Sequence, residues 1–576
     1  MFLKLIYRYG KKYKIAIVAI IVLQFVQTLA TLYLPTLNAD IIDEGVVKAD
    51  TGYIMNVGGW MLLISAGQVV AMIAAIYLSA RVSMGVGRDV RREEFTTIST
   101  FSAREVGDLS AASLITRTTN DVQQFQVLFL MGFNMLVAAP VMCVGGIILA
   151  LAQDVQLSWL LAVFVPILVI AVGLIVRKLV PLFRKSQKLL DGLNGILREQ
   201  IMGMSVIRAF VREHHEEQRF ADANATYTRV QVSAGRWMVF MFPVIMLIVN
   251  MASVGVVWFG GMRVDSGGMQ IGALLAFLSY IMQILMSVMM AMFVFMMIPR
   301  AAVAAERITE VLETTSSVPD HGDATLTGSV EHLEFANVGY TFPGADASVL
   351  EDVSFRTVRG ETTAIIGSTG SGKSTLLKLI PRLIDATDGA IAINAIPINS
   401  LPLAQLRSHI GYIPQKAFLF SGTIASNLRM GNQNATDEQL WDALEIAQAA
   451  DFVRESPEQL DAPVAQGGTN FSGGQRQRLS IARALVSSAD IYLFDDSFSA
   501  LDFSTDARLR AALAPLAKNA IVMIVAQRVN TIRHADRILV LDEGRLVAQG
   551  THDELYETSP VYREIVDSQL VMEESA

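Results

Sequence analysis

The chain has 576 residues, 52% of them hydrophobic and only 17% charged, and a formal net charge of −8. That length leaves room for roughly two to four domains, and the composition excludes a disordered chain and gives no basic footprint for nucleic acid. The single cysteine, Cys143, excludes a disulfide framework and a zinc cluster, and its apolar surroundings mark it as a core position.

The opening "MFLKLIYRYGKKYK" mixes apolar and basic residues, which suits a helix lying on the inner membrane surface. Nearly uncharged stretches then run over residues 15–38, 54–80, 122–153, 155–176, 237–262 and 266–299. Each reaches the ~20 apolar residues that carry a helix across a bilayer. The first is too long for a signal-peptide core and lacks a small-residue cleavage site, so it reads as a signal anchor that stays in place. Basic residues set the orientation. Lys4, Arg8, Lys11, Lys12 and Lys14 precede the first span, Arg81, Arg88, Arg91 and Arg92 follow the second, and Arg177, Lys178, Arg184 and Lys185 follow the fourth. The positive-inside rule places both termini and both long loops, 81–121 and 177–236, in the cytoplasm. Those loops keep helical periodicity and extend the membrane helices before turning back.

The apolar run stops near residues 297–300, and the polar stretch "LETTSSVPDHGDATLTGS" serves as a linker. Beyond it, short β-branched strands such as "TTAIIG", "IYLFDD" and "AIVMIVAQ" alternate with amphipathic helices, the pattern of a largely parallel α/β sheet. The expected organisation is an all-α transmembrane domain of six helices over 1–310, a linker over 311–330 and an α/β phosphate-loop domain over 331–576.

Within that last domain, "GSTGSGKST" comprises Gly367, Ser368, Thr369, Gly370, Ser371, Gly372, Lys373, Ser374 and Thr375. It sits between a strand and an apolar helix, where a phosphate loop belongs. Glycines let backbone N–H groups converge on phosphate oxygens, Lys373 neutralises the β and γ phosphates, and Ser374 ligates Mg²⁺. "IYLFDD" ends in Asp495, an acid that can hold the same ion. "NFSGGQRQR" puts Ser472, Gly473, Gly474 and Gln475 at another helix start, a second anion-binding cap. One nucleotide does not need two such caps from one chain, so this cap is expected to close on ATP held by another chain.

Phosphate loop, "FSGGQ" and "IYLFDD" stand in the order and spacing of an ABC transporter, which the chain resembles over essentially its whole length. The resemblance implies further roles: Tyr340 in "VGYTFPG" stacks on adenine, Gln415 in "YIPQKAFLFSG" reaches Mg²⁺ and the attacking water, and Asp495 is the Mg²⁺-associated acid. Asp502 closes "SALD", the loop between nucleotide domains. "GMSVIRAFVREHHEEQRF" resembles the cytoplasmic loop that docks on the other subunit. His214 and His215 in it point to different helix faces, a surface helix rather than a metal site. Six spans with two long loops ahead of the ATPase resemble the half-transporter plan of type IV exporters.

Two departures bear on chemistry. Asp496 stands where the family has a catalytic glutamate, and Gln527 where it usually has a histidine contacting the γ-phosphate. Aspartate is one methylene short, a misplacement of about 1 Å that can cost ~10²-fold in rate. An amide can donate a hydrogen bond but cannot become cationic. Gln466, before the signature, replaces a common glutamate. The pattern resembles the degenerate-site subunit of bacterial heterodimeric multidrug exporters, whose partner keeps the glutamate. That implies ATP and Mg²⁺ as cofactors, a different half-transporter and membrane lipid as partners, a bacterial cytoplasmic membrane location, and an amphipathic substrate. A siderophore importer of exporter architecture and a regulatory ATP-binding subunit are the alternatives. The sixth span carries Met282, Met286, Met289, Phe293 and Met296 at helical spacing, a stripe suited to a cavity wall or to helix packing.

Overall fold

The computed structural model describes residues 2–574 and, among these, every side chain except Met296 and residues 570–574. The chain divides into two compact units, residues 1–99 with 111–314, and residues 100–110 with 315–576.

The first unit is helical. A short amphipathic helix, Phe2–Gly10, precedes six long ones: α1 (Lys14–Asp40), α2 (Thr51–Ile98), α3 (Val122–Gln153), α4 (Trp159–Met202), α5 (Glu213–Asp265) and α6 (Ile271–Glu313). Among the described residues, six helices are long and apolar enough to cross a membrane, as the apolar runs predict. Hydrocarbon leaves no water for backbone N–H and C=O groups, and the helix satisfies them all within the segment. Large apolar side chains such as Trp60, Val70, Trp258 and Phe295 stand exposed on these helices, a surface suited to lipid.

Four helices, α2, α4, α5 and α6, run to more than twice the thickness of the bilayer's hydrocarbon core. At 1.5 Å per residue, the 48 residues of α2 span about 72 Å, against ~30 Å of hydrocarbon. Both loops, 81–121 and 177–236, are helical through most of their length, as their periodicity predicts. The first turns sharply at Ser102, whose side chain forms a capping box with Glu105, and at Ser110 with a left-handed φ of 59°. Helices α1, α3, α4, α5 and α6 each hold an internal proline, and α2 holds none.

Leu32, Leu160, Phe277, Tyr280 and Ile284 form the centre of this unit's largest core, with half-buried Cys143 packed against it. Polar ties fix the helix ends. Arg263 at the end of α5 pairs with Asp154 after α3 at 2.8 Å, and the Gly272 N–H that opens α6 donates to Asp43 at 2.7 Å.

In the second unit, β1 (His332–Tyr340), β2 (Leu350–Val358) and β4 (Asp388–Ile393) belong to an antiparallel sheet ordered β2-β1-β4, extended by the two-residue strand Ile396–Pro397. The other sheet is ordered β9-β8-β3-β7-β6-β5 from β3 (Thr362–Gly367), β5 (Ile410–Ile413), β6 (Ile491–Asp495), β7 (Ile521–Val525), β8 (Arg537–Asp542) and β9 (Arg545–Gly550). All its pairings are parallel except β8 with β9. Strands β6 and β7 are buried throughout, which is why they read as unbroken apolar runs. Helices α7 (Lys373–Leu379), α8 (Gly473–Val486), α9 (Phe503–Ala517) and α10 (Pro560–Glu574) complete the parts that position the site.

Candidate functional site

The site forms at the carboxyl ends of β3, β6 and β7, the edge where open parallel sheets place ligands. Strand β3 runs into the glycine loop and α7. Gly367 allows a close approach: a Cβ there would lie 2.0 Å from the Leu541 carbonyl oxygen. Gly372, with φ of 94°, caps α7 in a conformation other residues resist. Lys373 folds over this loop, its Nζ donating to the carbonyls of Gly367 (2.9 Å) and Ser368 (2.7 Å) and to Ser371 Oγ (3.3 Å). Burial holds its pKa below the usual lysine value, against the opposing pull of Asp496 and Asp495. Phosphate oxygens would offer this buried ammonium a stronger partner than the carbonyls do.

Strand β6 delivers two carboxylates. Asp495 is buried, and its Oδ1 accepts from Ser374 Oγ at 2.6 Å. A hydroxyl and a carboxylate in contact, both hard oxygen ligands, fit Mg²⁺. Asp496 turns off the strand with a left-handed φ of 47°, and its backbone N–H still donates to Val525. Its Oδ2 accepts from two amides, Gln527 Nε2 at 2.9 Å and Gln415 Nε2 at 3.2 Å. Burial lifts the Asp496 carboxyl above the usual carboxylate range, while the Gln415 and Ser499 hydrogen bonds oppose that rise. Gln415 is thus engaged with Asp496 here.

Gln527 is held from behind. Gln569 on α10 donates to the Gln527 carbonyl at 2.7 Å and accepts from the Val529 N–H at 2.8 Å. This tether spans 42 residues, and the motifs gave no hint of it.

The signature serine caps α8. Ser472 Oγ accepts from the Gln475 N–H at 3.2 Å, and Gln475 Oε1 accepts from the Ser472 N–H at 2.9 Å. The Gln475 side-chain oxygen is therefore engaged within the helix start. A Cβ on Gly473 would meet nothing within 4 Å, so this cap faces open space. Gly474 lies closer in, its notional Cβ 3.3 Å from the Ala500 carbonyl oxygen. Asp502 caps α9, accepting from the Thr505 N–H at 2.9 Å and Ser504 Oγ at 2.7 Å, and these bonds drive its pKa well below the usual range.

Tyr340 requires correction. It is only 6% exposed and belongs to the core beneath β1 and β2, so its ring has no free face for adenine. Phe342, 48% exposed and edge-on to Tyr340 at 5.0 Å, is the available aromatic. Beyond the irregularity in β1, Val338 and Tyr340 share the inward face. The Val349 N–H donates to the Tyr340 carbonyl at 2.7 Å, and Val349 and Leu350 contact Gly372, which places this strand end beside the phosphate loop.

The methionine stripe divides in the first unit. Met282 and Met286 line a cavity, Met289 packs on the core, Phe293 is exposed, and the Met296 side chain lies outside the described residues. His214 and His215 are exposed, and no cluster of metal-ligating side chains occurs among the described residues.

Six membrane helices and a phosphate-loop unit on one chain define a nucleotide-driven membrane protein. The chain belongs to the ABC transporter family: residues 17–288 match its transmembrane region and residues 350–499 its ATPase. It is 47% identical over 574 residues to an uncharacterized ABC transporter ATP-binding protein of Mycobacterium tuberculosis, covering 99% of this chain and 98% of that one. It is 30% identical to the ATP-dependent lipid A-core flippase of Chromobacterium violaceum, covering 91% and 89%. Its fold is similar to a bacterial Atm1-family ABC exporter solved with ATP bound, with a TM-score of 0.78, 24% identity and coverage of 97% and 98%. The chain is therefore an ATPase-coupled half-transporter of exporter fold, a multi-pass membrane protein that binds ATP and pairs with another subunit or with a copy of itself.

Proposed function

We propose that this chain is one half of a heterodimeric exporter of amphipathic compounds in a bacterial cytoplasmic membrane, with both termini and the ATPase unit cytoplasmic. Its own site holds ATP and hydrolyses it poorly, while its "FSGGQ" completes the active site of a partner with an intact glutamate. One observation carries this reading: the Asp496 carboxylate, already a methylene short, is held by the Gln415 and Gln527 amides. Its raised pKa alone would make it a stronger base, so reach and engagement limit it. A displacement of ~1 Å outweighs the gain in basicity, because positioning of that order is worth ~10²-fold.

Lys373 and the loop amides bind the phosphates, Phe342 stacks on the adenine, and Ser374 and Asp495 would hold Mg²⁺, with Gln415 turning from Asp496 to join them. Bound there, the ion would neutralise phosphate charge. The exposed cap at Ser472 and Gly473 is free to meet a γ-phosphate on the other subunit. Amphipathic cargo is supported by the apolar cavity wall and by a relative named as a lipid A-core flippase.

Purification of the tagged chain from its native membrane tests the assembly. A one-to-one complex with a different half-transporter is expected. A stable homodimer with ordinary ATP turnover, formed without any second gene product, overturns the reading.

A further inference from the structure

Beyond its apolar span, α2 keeps one face buried. Val82, Val86 and Val90 follow one another at four-residue spacing, each at most 2% exposed, and Glu94 takes the next place in that stripe at 0%. The three valines share a core with Val122 and Phe125 of α3 and with Ala305 and Ile308 of α6. An acid in such a place loses its water, and a carboxylate bears that loss only with hydrogen-bond donors in reach. Both Glu94 oxygens are shut from solvent, and neither has a hydrogen-bond partner among the described residues.

The charged groups around Glu94 are engaged with others. Arg91, on the same helix, donates to Gln126 at 3.2 Å. Arg117 opens the π-helical turn Arg117–Asp121 that leads into α3. It donates to Ser113 (3.1 Å), to the Arg307 carbonyl (3.0 Å) and to Glu310 on α6 (2.6 Å). Asp121 closes that turn beside Arg307 of α6 at 3.6 Å, and its buried Oδ2 also has no hydrogen bond among the described residues. From the short first helix, Arg8 and Tyr9 both bind Glu93. Burial and then the like charge of Asp121 push the Glu94 carboxyl up to about 8, against the weaker pull of Arg117 and Arg91. At neutral pH the packed side chain is therefore a neutral acid, which the valine stripe can hold.

We infer that Glu94 is a proton-binding site in the joint between α2, α3 and α6, holding its proton while the joint is packed and releasing it when the joint opens. The O–H bond breaks, its electron pair stays on the carboxylate, and water takes the proton. Glu94 lies one turn before α2 ends at Ile98, where the chain passes into residues 100–110 of the second unit, so the proton governs how firmly that end is packed. The inference goes beyond the export reading and does not rest on it. Once the joint opens, water returns the carboxyl towards its ordinary value of 4.5. Between roughly pH 5 and pH 8 the packed joint holds a proton that the open one lacks, so opening gains about tenfold per pH unit and levels off above about 8. The full chain, with the subunit it purifies with, is placed in nanodiscs of ether-linked phosphatidylcholine, which adds no ester carbonyl, and titrated across that range. Difference infrared spectra follow the C=O stretch of protonated carboxyls. Amide exchange, corrected for its intrinsic pH dependence, follows segments 86–98 and 117–125. Wild type should lose a carboxyl band with a midpoint near 8, and that band should be missing from Glu94→Gln, which is isosteric and permanently neutral. Exchange should quicken about tenfold per pH unit in wild type and change less than about twofold in the variant. A Glu94-dependent band with its midpoint below about 6, or no such band, overturns the inference. Exchange that is flat with pH in wild type, which needs no variant to fold, overturns it as well. Equal pH slopes in wild type and Glu94→Gln would assign the response to other groups and sink the proposal.

Discussion

At the scale of single residues, the molecule turns on how Asp496 and Lys373 divide their tasks. With Asp496 held by two amides, Asp496→Asn should lower steady-state hydrolysis of the assembled transporter by less than about threefold. The matching change at the partner's glutamate should lower it by about a hundredfold or more. Equal losses would mean that Asp496 is a working base. Lys373 acts on occupancy, because its ammonium already lies on the loop that receives phosphate. Lys373→Ala should reduce ATP retained by this chain at least about tenfold, a charge-assisted bond's worth, as read by nucleotide filter binding. Undiminished retention would sink that role. The aromatic at the end of β1 offers a further comparison. Phe342→Ala should weaken ATP binding and cost far less thermal stability than a core change, since its ring is about half exposed. Tyr340→Ala should destabilise the second unit by about 3–5 kcal/mol, the cost of emptying a buried aromatic position. Loss of affinity only in the Tyr340 variant would reverse the assignment.

At the scale of elements, α8 and α10 present two testable joints. Gly473→Leu introduces a side chain into open space within this chain, so the subunit should melt within about 2 °C of wild type. Partner-site hydrolysis should still collapse, because the cap would no longer close on a γ-phosphate. Near-normal turnover in that variant would refute the cap's role in trans. The Gln569 tether predicts a different signature. Gln569→Ala removes two bonds to the Gln527 loop, worth about 1–3 kcal/mol together. Amide exchange in the segment 526–531 should then quicken about tenfold or more, and unchanged protection would show the tether idle. These joints also show where the sequence was legible. The apolar spans stood out because hydrocarbon demands long unbroken runs, and the phosphate loop because its atoms come from nine consecutive residues. Tyr340 misled because an irregularity in β1 shifts strand parity, which no local pattern announces. The grip of Gln569 on Gln527, and of Gln24 on Asn134 across 110 positions, exists only after the chain has folded. The methionine stripe failed as a unit for a similar reason: α6 turns Met289 to the core and brings Met290, outside the stripe, to the cavity.

At the scale of the whole molecule, topology is open to direct measurement because Cys143 is the only cysteine to remove. In a Cys143→Ser background, His215→Cys should react with an impermeant maleimide only in inside-out vesicles, and Asp50→Cys only in intact cells. The reverse pattern would invert the orientation drawn from the basic residues. Helix α2 joins the connection after the first span to residues 100–110, which belong to the second compact unit. It alone among the six long helices lacks a proline, the residue that most often kinks a helix. Over its length of about 72 Å, a tilt of only ~5° about one end sweeps the other through about 6 Å. Such a rod works as a lever arm: it exchanges small angular strokes for large linear ones, and the force it delivers falls in the same proportion.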